Sequence, residues 1–151
     1  MNYEYSDTYW DDYKQFIQLF KDVMMSKYSD TRSIQMYHSP NTIIEVWGQV
    51  VGAAEYYPWS IYDWWDDLSV RDAVEFILTN EKIKSFEYFY DNFKKQIEDI
   101  DNKLLNISFE FSVLAFHKNW WERRILKYGQ DEYKANVREL YEIDLDTYKN
   151  E

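Results

Sequence analysis

The chain has no cysteine, 3 glycines and 2 prolines in 151 residues. Lack of cysteine excludes disulfides, a thiolate nucleophile and Cys-based zinc sites, and fits a reducing compartment. With Gly48, Gly52, Gly129, Pro40 and Pro58 as the only strong breakers, there is too little turn chemistry for a many-stranded sheet, so helices are expected. Neither GxGxxG nor GxxxxGK[ST] occurs, which removes the glycine-rich nucleotide loops. His38 and His117 are the only histidines; neither belongs to HExxH or to the Glu-x-x-His pattern of di-iron bundles. No G-x-S-x-G elbow supports a serine nucleophile. No apolar run is long enough to span a bilayer, and Met1-Asn2-Tyr3-Glu4-Tyr5 lacks the basic and apolar regions of a secretion signal. A cytoplasmic chain without membrane contact, cofactor or metal is the expectation.

Acidic and aromatic residues are what the sequence has in abundance. There are 28 Asp and Glu against 17 Lys and Arg, a formal charge of −11, alongside 7 Trp, 15 Tyr and 9 Phe. Such a surface repels nucleic-acid phosphates and attracts cationic partners, so direct nucleic-acid binding is not expected. The 46% hydrophobic content is enough for a core, and the length is that of one globular domain spanning 1–151.

Apolar periodicity predicts a mostly α fold, a bundle of about five to six helices. Tyr9, Tyr13, Phe16, Phe20, Val23 and Met24 recur at helical spacing from Asp7 to Met25, with Ser6 as N-cap. Ser29 to Ser39, with Ile34 and Met36, reads equally as a loop or a short edge strand. Ser39-Pro40 opens a helix with the face Ile43, Trp47, Val50, Val51 and Ala54, ending near Tyr57-Pro58, in which Gly48 and Gly52 suit close helix packing. Ser69 and Asp72 form a capping box for a helix through Leu78, with Val70, Ala73, Val74 and Ile77 inward. Asn80 caps one long helix on which Ile83, Phe86, Tyr90, Phe93, Ile97, Ile100 and Leu104 keep the spacing. From Leu104 to Trp121 a buried helix is favoured, but Ile107, Phe109, Phe111, Val113 and Ala115 alternate with period two. That leaves open an α+β fold with a short strand near 107–115. Trp120 to Tyr128 reads as a helix with Gly129 at C′, and a last helix runs from about Asp131 to Tyr141 on Tyr133, Val137 and Leu140.

The densest functional signal is Glu55 to Asp67, with four acids, three tryptophans and three tyrosines in 13 residues. Rigid aromatic rings with a carboxylate rim suit a protein interface, and Glu55, Trp59, Tyr62, Asp63, Trp64, Asp66 and Asp67 are the candidate partner-binding residues. The structural alternative makes Trp59, Tyr62 and Trp65 core anchors, with the aspartates solvating the outside. An enzymatic alternative is a small carboxylate-dependent hydrolase using Asp63, Asp66 or Glu55, although adjacent Asp66 and Asp67 point to different faces of a helix. A further acidic surface lies at the termini, in Glu4, Asp7, Asp11 and Asp12 and in Glu139, Glu142, Asp144, Asp146 and Glu151. There, Asp11 and Asp12 also favour the positive end of the first helix.

In size, charge and the segment from Glu55 to Asp67, the chain resembles the immunity proteins that neutralise bacterial toxins. The resemblance implies a non-catalytic inhibitor whose partner is a basic toxin domain, often a cationic nuclease. A phage or plasmid inhibitor that imitates nucleic acid before a host enzyme is the nearest alternative, and requires acids in exposed rows. A homo-oligomer that buries the aromatics is another.

Overall fold

The computed structural model describes residues 2–30 and 37–148, so the loop-or-strand reading at Ile34 and Met36 lies outside the described residues. The fold is mostly helical, as expected. In chain order it has α1 (Asp7–Lys27), α2 (Pro40–Ala53), α3 (Ile61–Asp67), α4 (Ser69–Leu78), α5 (Glu81–Lys84), α6 (Glu87–Asn106), β1 (Ser108–Glu110), β2 (Arg124–Leu126) and α7 (Asp131–Tyr141). Short 3-10 turns lie at Ala54–Tyr56, Ser112–Leu114 and Trp120–Arg123. No described helix is long and apolar enough to cross a membrane. Two compact units divide the chain, one of Met1–Val46 with Asp72–Glu98, the other of Trp47–Arg71 with Asp99–Glu151.

In the first unit, the Ser6 side chain accepts from the Tyr9 amide and starts α1, as the sequence indicated. Phe16, Phe20, Val23 and Met24 are buried along one stripe. Phe20 meets Phe93 edge-on at 5.4 Å, and Phe16 stacks on Phe89 at 5.6 Å. Burial of one such ring is worth about 1.5 to 3 kcal/mol. Ser39 Oγ accepts from the Thr42 amide at 3.2 Å, and Pro40, which has no N–H to satisfy, follows as the first residue of α2. Asn80 does cap a helix, its Oδ1 accepting from Lys82 and Ile83 amides. The single long helix expected from Asn80 to Leu104 is nevertheless two, α5 and α6. The Ser85 hydroxyl donates to the Lys82 carbonyl at 2.6 Å and ends α5. The restart changes the phase, so Phe89 is buried while Phe86 and Tyr90 are half-buried.

In the second unit β1 and β2 pair antiparallel, with Phe109 opposite Ile125 and Glu110 opposite Arg124. The favoured helix over Leu104 to Trp121 is therefore corrected: α6 stops at Asn106 and the strand alternative holds at 108–110. Ser108 is the pivot. Its buried hydroxyl donates to the Leu104 carbonyl at 2.6 Å and accepts from Arg124 Nε at 2.7 Å. The Arg124 Nη2 also reaches the Ser108 carbonyl at 2.9 Å, fixing the two strands at that point.

The helix expected from Trp120 to Tyr128 is likewise a 3-10 turn followed by β2. Gly129 has no left-handed φ; it is needed for space. A Cβ there would lie 2.5 Å from Tyr133 Cδ1. The residue bridges in parallel to Tyr57, beside Tyr57 N–H to Tyr128 O and Gln130 N–H to Tyr57 O bonds.

Other local expectations also change. The capping box sits at Ser60 and Asp63, while Ser69 is already inside α4. Val70, Ala73, Val74 and Ile77 are buried as expected. A Cβ on Gly52 would meet nothing within 4 Å, and one on Gly48 would meet Ile100 Cδ1 at an ordinary 3.7 Å, so neither glycine serves close packing. On α7, Tyr133 and Val137 are buried but Leu140 is 41% exposed.

A buried polar centre of the second unit went unread in the sequence. Arg71, 4% exposed, makes two bonds of 3.0 Å to Asp101 through Nε and Nη2, and Trp47 Nε1 donates to the same carboxylate at 3.0 Å. The guanidinium also lies 4.5 Å from the Trp121 ring centre. A buried charge is tolerated only when paired and hydrogen-bonded in this way.

Candidate functional site

The Glu55 to Asp67 segment is built on a firmly fixed α3. Ser60 Oγ accepts from the Asp63 amide at 3.1 Å, and Asp63 Oδ2 accepts from Ser60 N at 3.1 Å and Ser60 Oγ at 2.8 Å. The Ile61 amide donates to Asn136 Oδ1 of α7 at 2.9 Å. Ile61, Trp64 and Leu68 turn inward at helical spacing, and Trp64 meets Tyr57 edge-on at 5.3 Å. The opposite face is presented outward. Tyr62 is 56% and Trp65 43% exposed, in a T-shaped pair at 5.3 Å, with Asp66 beside them at i+4 from Tyr62. Trp59, 52% exposed, leans on Tyr57 at 5.7 Å, and Tyr56 and Glu55 are also exposed.

Of the seven candidate residues, Glu55, Trp59, Tyr62, Asp63 and Asp66 lie on the surface. Trp64 does not: at 2% exposure it is the core anchor, because the Ser60 cap sets the helix phase that buries it. The alternative in which Trp59, Tyr62 and Trp65 are buried is corrected by their exposure. Asp67 is half-buried and accepts the Tyr57 hydroxyl at 2.8 Å. Burial pushes the Asp67 carboxyl up, against the lowering by that bond, and neighbouring Asp66 and Asp63 add to the rise. Burial, and then the bond to Asp67, hold the Tyr57 phenol well above its usual range. Asp63 and Asp67 are thus engaged in holding the segment together, and Asp66 and Glu55 are its outward carboxylates.

Neither histidine belongs to this segment. His117 is in a turn, where its Nδ1 lies 3.2 Å from Glu122 Oε2 and its ring 4.2 Å from Phe116; the aromatic helix expected around it does not exist. His38 is half-buried immediately before the Ser39 cap. Among the described residues, no group of three or more His, Cys, Asp or Glu side chains is arranged to hold a metal ion.

A second aromatic surface, on the first unit, enters the sequence reading as its acids and, through Tyr9 and Tyr13, as part of the apolar face of α1, where both rings are half-buried. Tyr9 contacts Tyr3, Tyr5, Trp10 and Tyr88 at 5.0 to 5.7 Å between ring centres. Tyr3, Tyr5, Trp10 and Tyr88 are all at least 36% exposed. Tyr5 sits at φ 63, in the left-handed region that costs a non-glycine residue about 1 to 2 kcal/mol, and so turns the chain back toward α1. The crowding of Tyr3, Tyr5, Tyr9, Trp10 and Tyr13 in the sequence is the signal that could have found this surface.

No family model, curated protein or solved structure matches the chain. The fold and the site together define a class: a mostly helical protein presenting aromatic rings and carboxylates on a rigid helix.

Proposed function

We propose that this chain is an acidic protein-binding inhibitor of the immunity-protein kind, which neutralises a basic bacterial toxin domain by direct contact and performs no catalysis of its own. The observation that carries the reading is the outward face of α3, where Tyr62 and Trp65 pair beside Asp66 with Trp59 nearby. Exposed Trp and Tyr are the residue types that dominate interface energetics, and here they are held rigidly, so little entropy is lost on docking. The formal charge of −11 steers a cationic domain toward that face and speeds its capture, while buried rings slow its release. Such an inhibitor acts in the cytoplasm of the cell that makes the toxin.

The test is a tagged pull-down from the native host, repeated at high salt, with the chain and its Trp65→Ala and Asp66→Lys variants. A single stoichiometric basic protein, toxic when expressed alone and harmless when co-expressed, is the expected outcome, and both variants lose it. Capture undiminished by both substitutions removes α3 from the interface. Recovery of the chain's own copies alone replaces the inhibitor with a homo-oligomer. Asp67→Lys is unsuitable as a probe, because it also removes the acceptor of the half-buried Tyr57 bond.

A further inference from the structure

We infer that the first unit carries a binding site of its own for an arginine side chain, in the cleft between the start of α1 and the start of α6, with Tyr3 and Tyr88 as its faces and Asp12 and Glu87 as its anions. The cleft has a volume of about 250 Å³ and is lined by these residues with Ser85, Phe86 and Phe89. It is smaller than the roughly 300 to 1,000 Å³ clefts that enclose drug-sized ligands, and suits one side chain presented by a larger partner.

Its chemistry selects a cation. Tyr3 and Tyr88 meet edge-on at 5.5 Å, with planes at 71°, so the rings form two walls at a steep angle rather than a closed stack. A cation over such a face is attracted by the ring quadrupole. Tyr3 donates its hydroxyl to Asp12 Oδ2 at 2.8 Å, which holds that carboxylate at the cleft wall, and Glu87 stands exposed at the first turn of α6. Desolvation, and then the bond to Asp12, push the Tyr3 phenol up to about 12, and desolvation, and then Glu4, raise Tyr88, so both rings stay neutral beside these carboxylates. The nearby Lys84 is turned to Glu81 at 3.4 Å.

Arginine fits better than the other cations. No group of described acids is gathered tightly enough to chelate a metal ion. A planar guanidinium can lie on a tyrosine face and direct several N–H groups toward the carboxylates of the lining, whereas the ammonium of lysine is a single compact point charge. The site consists of first-unit residues alone and does not depend on the inhibitor reading of α3. An arginine-bearing partner could use it whether or not the α3 face is an interface.

The experiment is calorimetric titration of the full chain with an arginine hexapeptide, a lysine hexapeptide and the uncharged citrulline hexapeptide at low salt. Amide chemical shifts are followed in parallel. Arginine peptide binding that perturbs residues 3–13 and 85–89, stronger than lysine and absent with citrulline, is expected. Asp12→Asn with Glu87→Gln weakens it by about tenfold, and Tyr88→Leu, which leaves the charge unchanged, by about fivefold. Glu132→Gln with Glu139→Gln removes the same charge from α7, and changes it less than about twofold if the cleft is specific. Equal weakening by both charge pairs, equal affinity for lysine and arginine, or no effect of Tyr88→Leu in a variant whose circular dichroism is native would overturn the assignment. Loss of the α3 partner in a pull-down bears only on the other reading.

Discussion

Replacing Asp101 by Leu should be among the most damaging single changes in the second unit. Asp101 is 8% exposed and receives Arg71 Nε, Arg71 Nη2 and Trp47 Nε1, each at 3.0 Å. Leucine leaves the Arg71 guanidinium charged and buried, a penalty of about 3 to 5 kcal/mol when one partner of a buried pair is removed. It also orphans the Trp47 N–H, at about 1 to 3 kcal/mol. The Trp121 face 4.5 Å away returns at most about 2 kcal/mol, and already does so in the native protein, so it cannot compensate. Because both losses come from one carboxylate they do not simply add, and about 4 to 6 kcal/mol is expected. That is a large part of the roughly 5 to 15 kcal/mol stability of a domain, and corresponds to a fall in Tm of about 10 to 20 °C. Urea unfolding followed by circular dichroism measures it. Asp101→Leu combined with Arg71→Met removes the cation together with its carboxylate, and should recover about half or more of the loss, giving a coupling of at least about 2 kcal/mol. A single-variant loss below about 1.5 kcal/mol, or a double variant as unstable as the sum of the singles, would refute the reasoning.

Three further outcomes are expected. Phe93→Ala should cost about 3 to 5 kcal/mol, since the ring is 2% exposed and meets Phe20; a near-unchanged Tm would place the inward face of α6 elsewhere. Gly129→Ala should cost about 1 to 3 kcal/mol by driving Tyr133 from its site, whereas Gly52→Ala, with open space around it, should gain up to about 1 kcal/mol; parallel urea titrations test the contrast. Tyr57 and Tyr133 have raised pKa values because of burial, so above about pH 10 the unfolded chain loses protons that the native chain keeps. Stability is then full below that pH and drains as pH rises, and tyrosinate absorbance should show at least these two phenols ionising only as the circular dichroism signal is lost.

What the sequence made legible was local. Ser6 with Phe16 and Phe20, Ser39-Pro40 with Ile43 and Trp47, and Asp131 with Tyr133 and Val137 carry cap and periodicity within a few turns; α1 and α7 follow nearly to the residue, whereas α2 begins as expected but passes at Ala53 into a 3-10 turn short of Tyr57-Pro58. The break between α5 and α6 hides inside an unbroken apolar spacing, because it rests on one hydroxyl, that of Ser85, turning back to Lys82. From Leu104 to Gly129 the chain is decided by distant partners. β1 is stable only against β2, and Ser108 tolerates burial only because Leu104 and Arg124 both meet its hydroxyl. The Arg71–Asp101 pair joins residues 30 apart in sequence, beyond any spacing rule.

The two adjacent tryptophans of α3 show how a small local signal decides what an exposed face contains. Trp64 and Trp65 are identical in chemistry, and composition cannot say which is exposed. Ser60 and Asp63 do: their capping box fixes where the helix begins, and Ile61, Trp64 and Leu68 then share the inward stripe while Tyr62, Trp65 and Asp66 share the outward one. Choosing the box at Ser69 and Asp72 instead leaves that phase undetermined, which is why Trp64 stood among the candidate contacts. The same geometry reduces the charge available to a partner. Asp63 is held by Ser60 and Asp67 by Tyr57, so of the four acids in the segment Asp66 and Glu55 are the ones turned outward and uncommitted to the cap or to Tyr57. In the proposed complex, close-range pairing at this face therefore rests on two carboxylates, and the long-range attraction of a cationic partner on the whole −11 charge. Salt should accordingly slow association far more than it hastens release, because the rings proposed to hold the partner carry no charge.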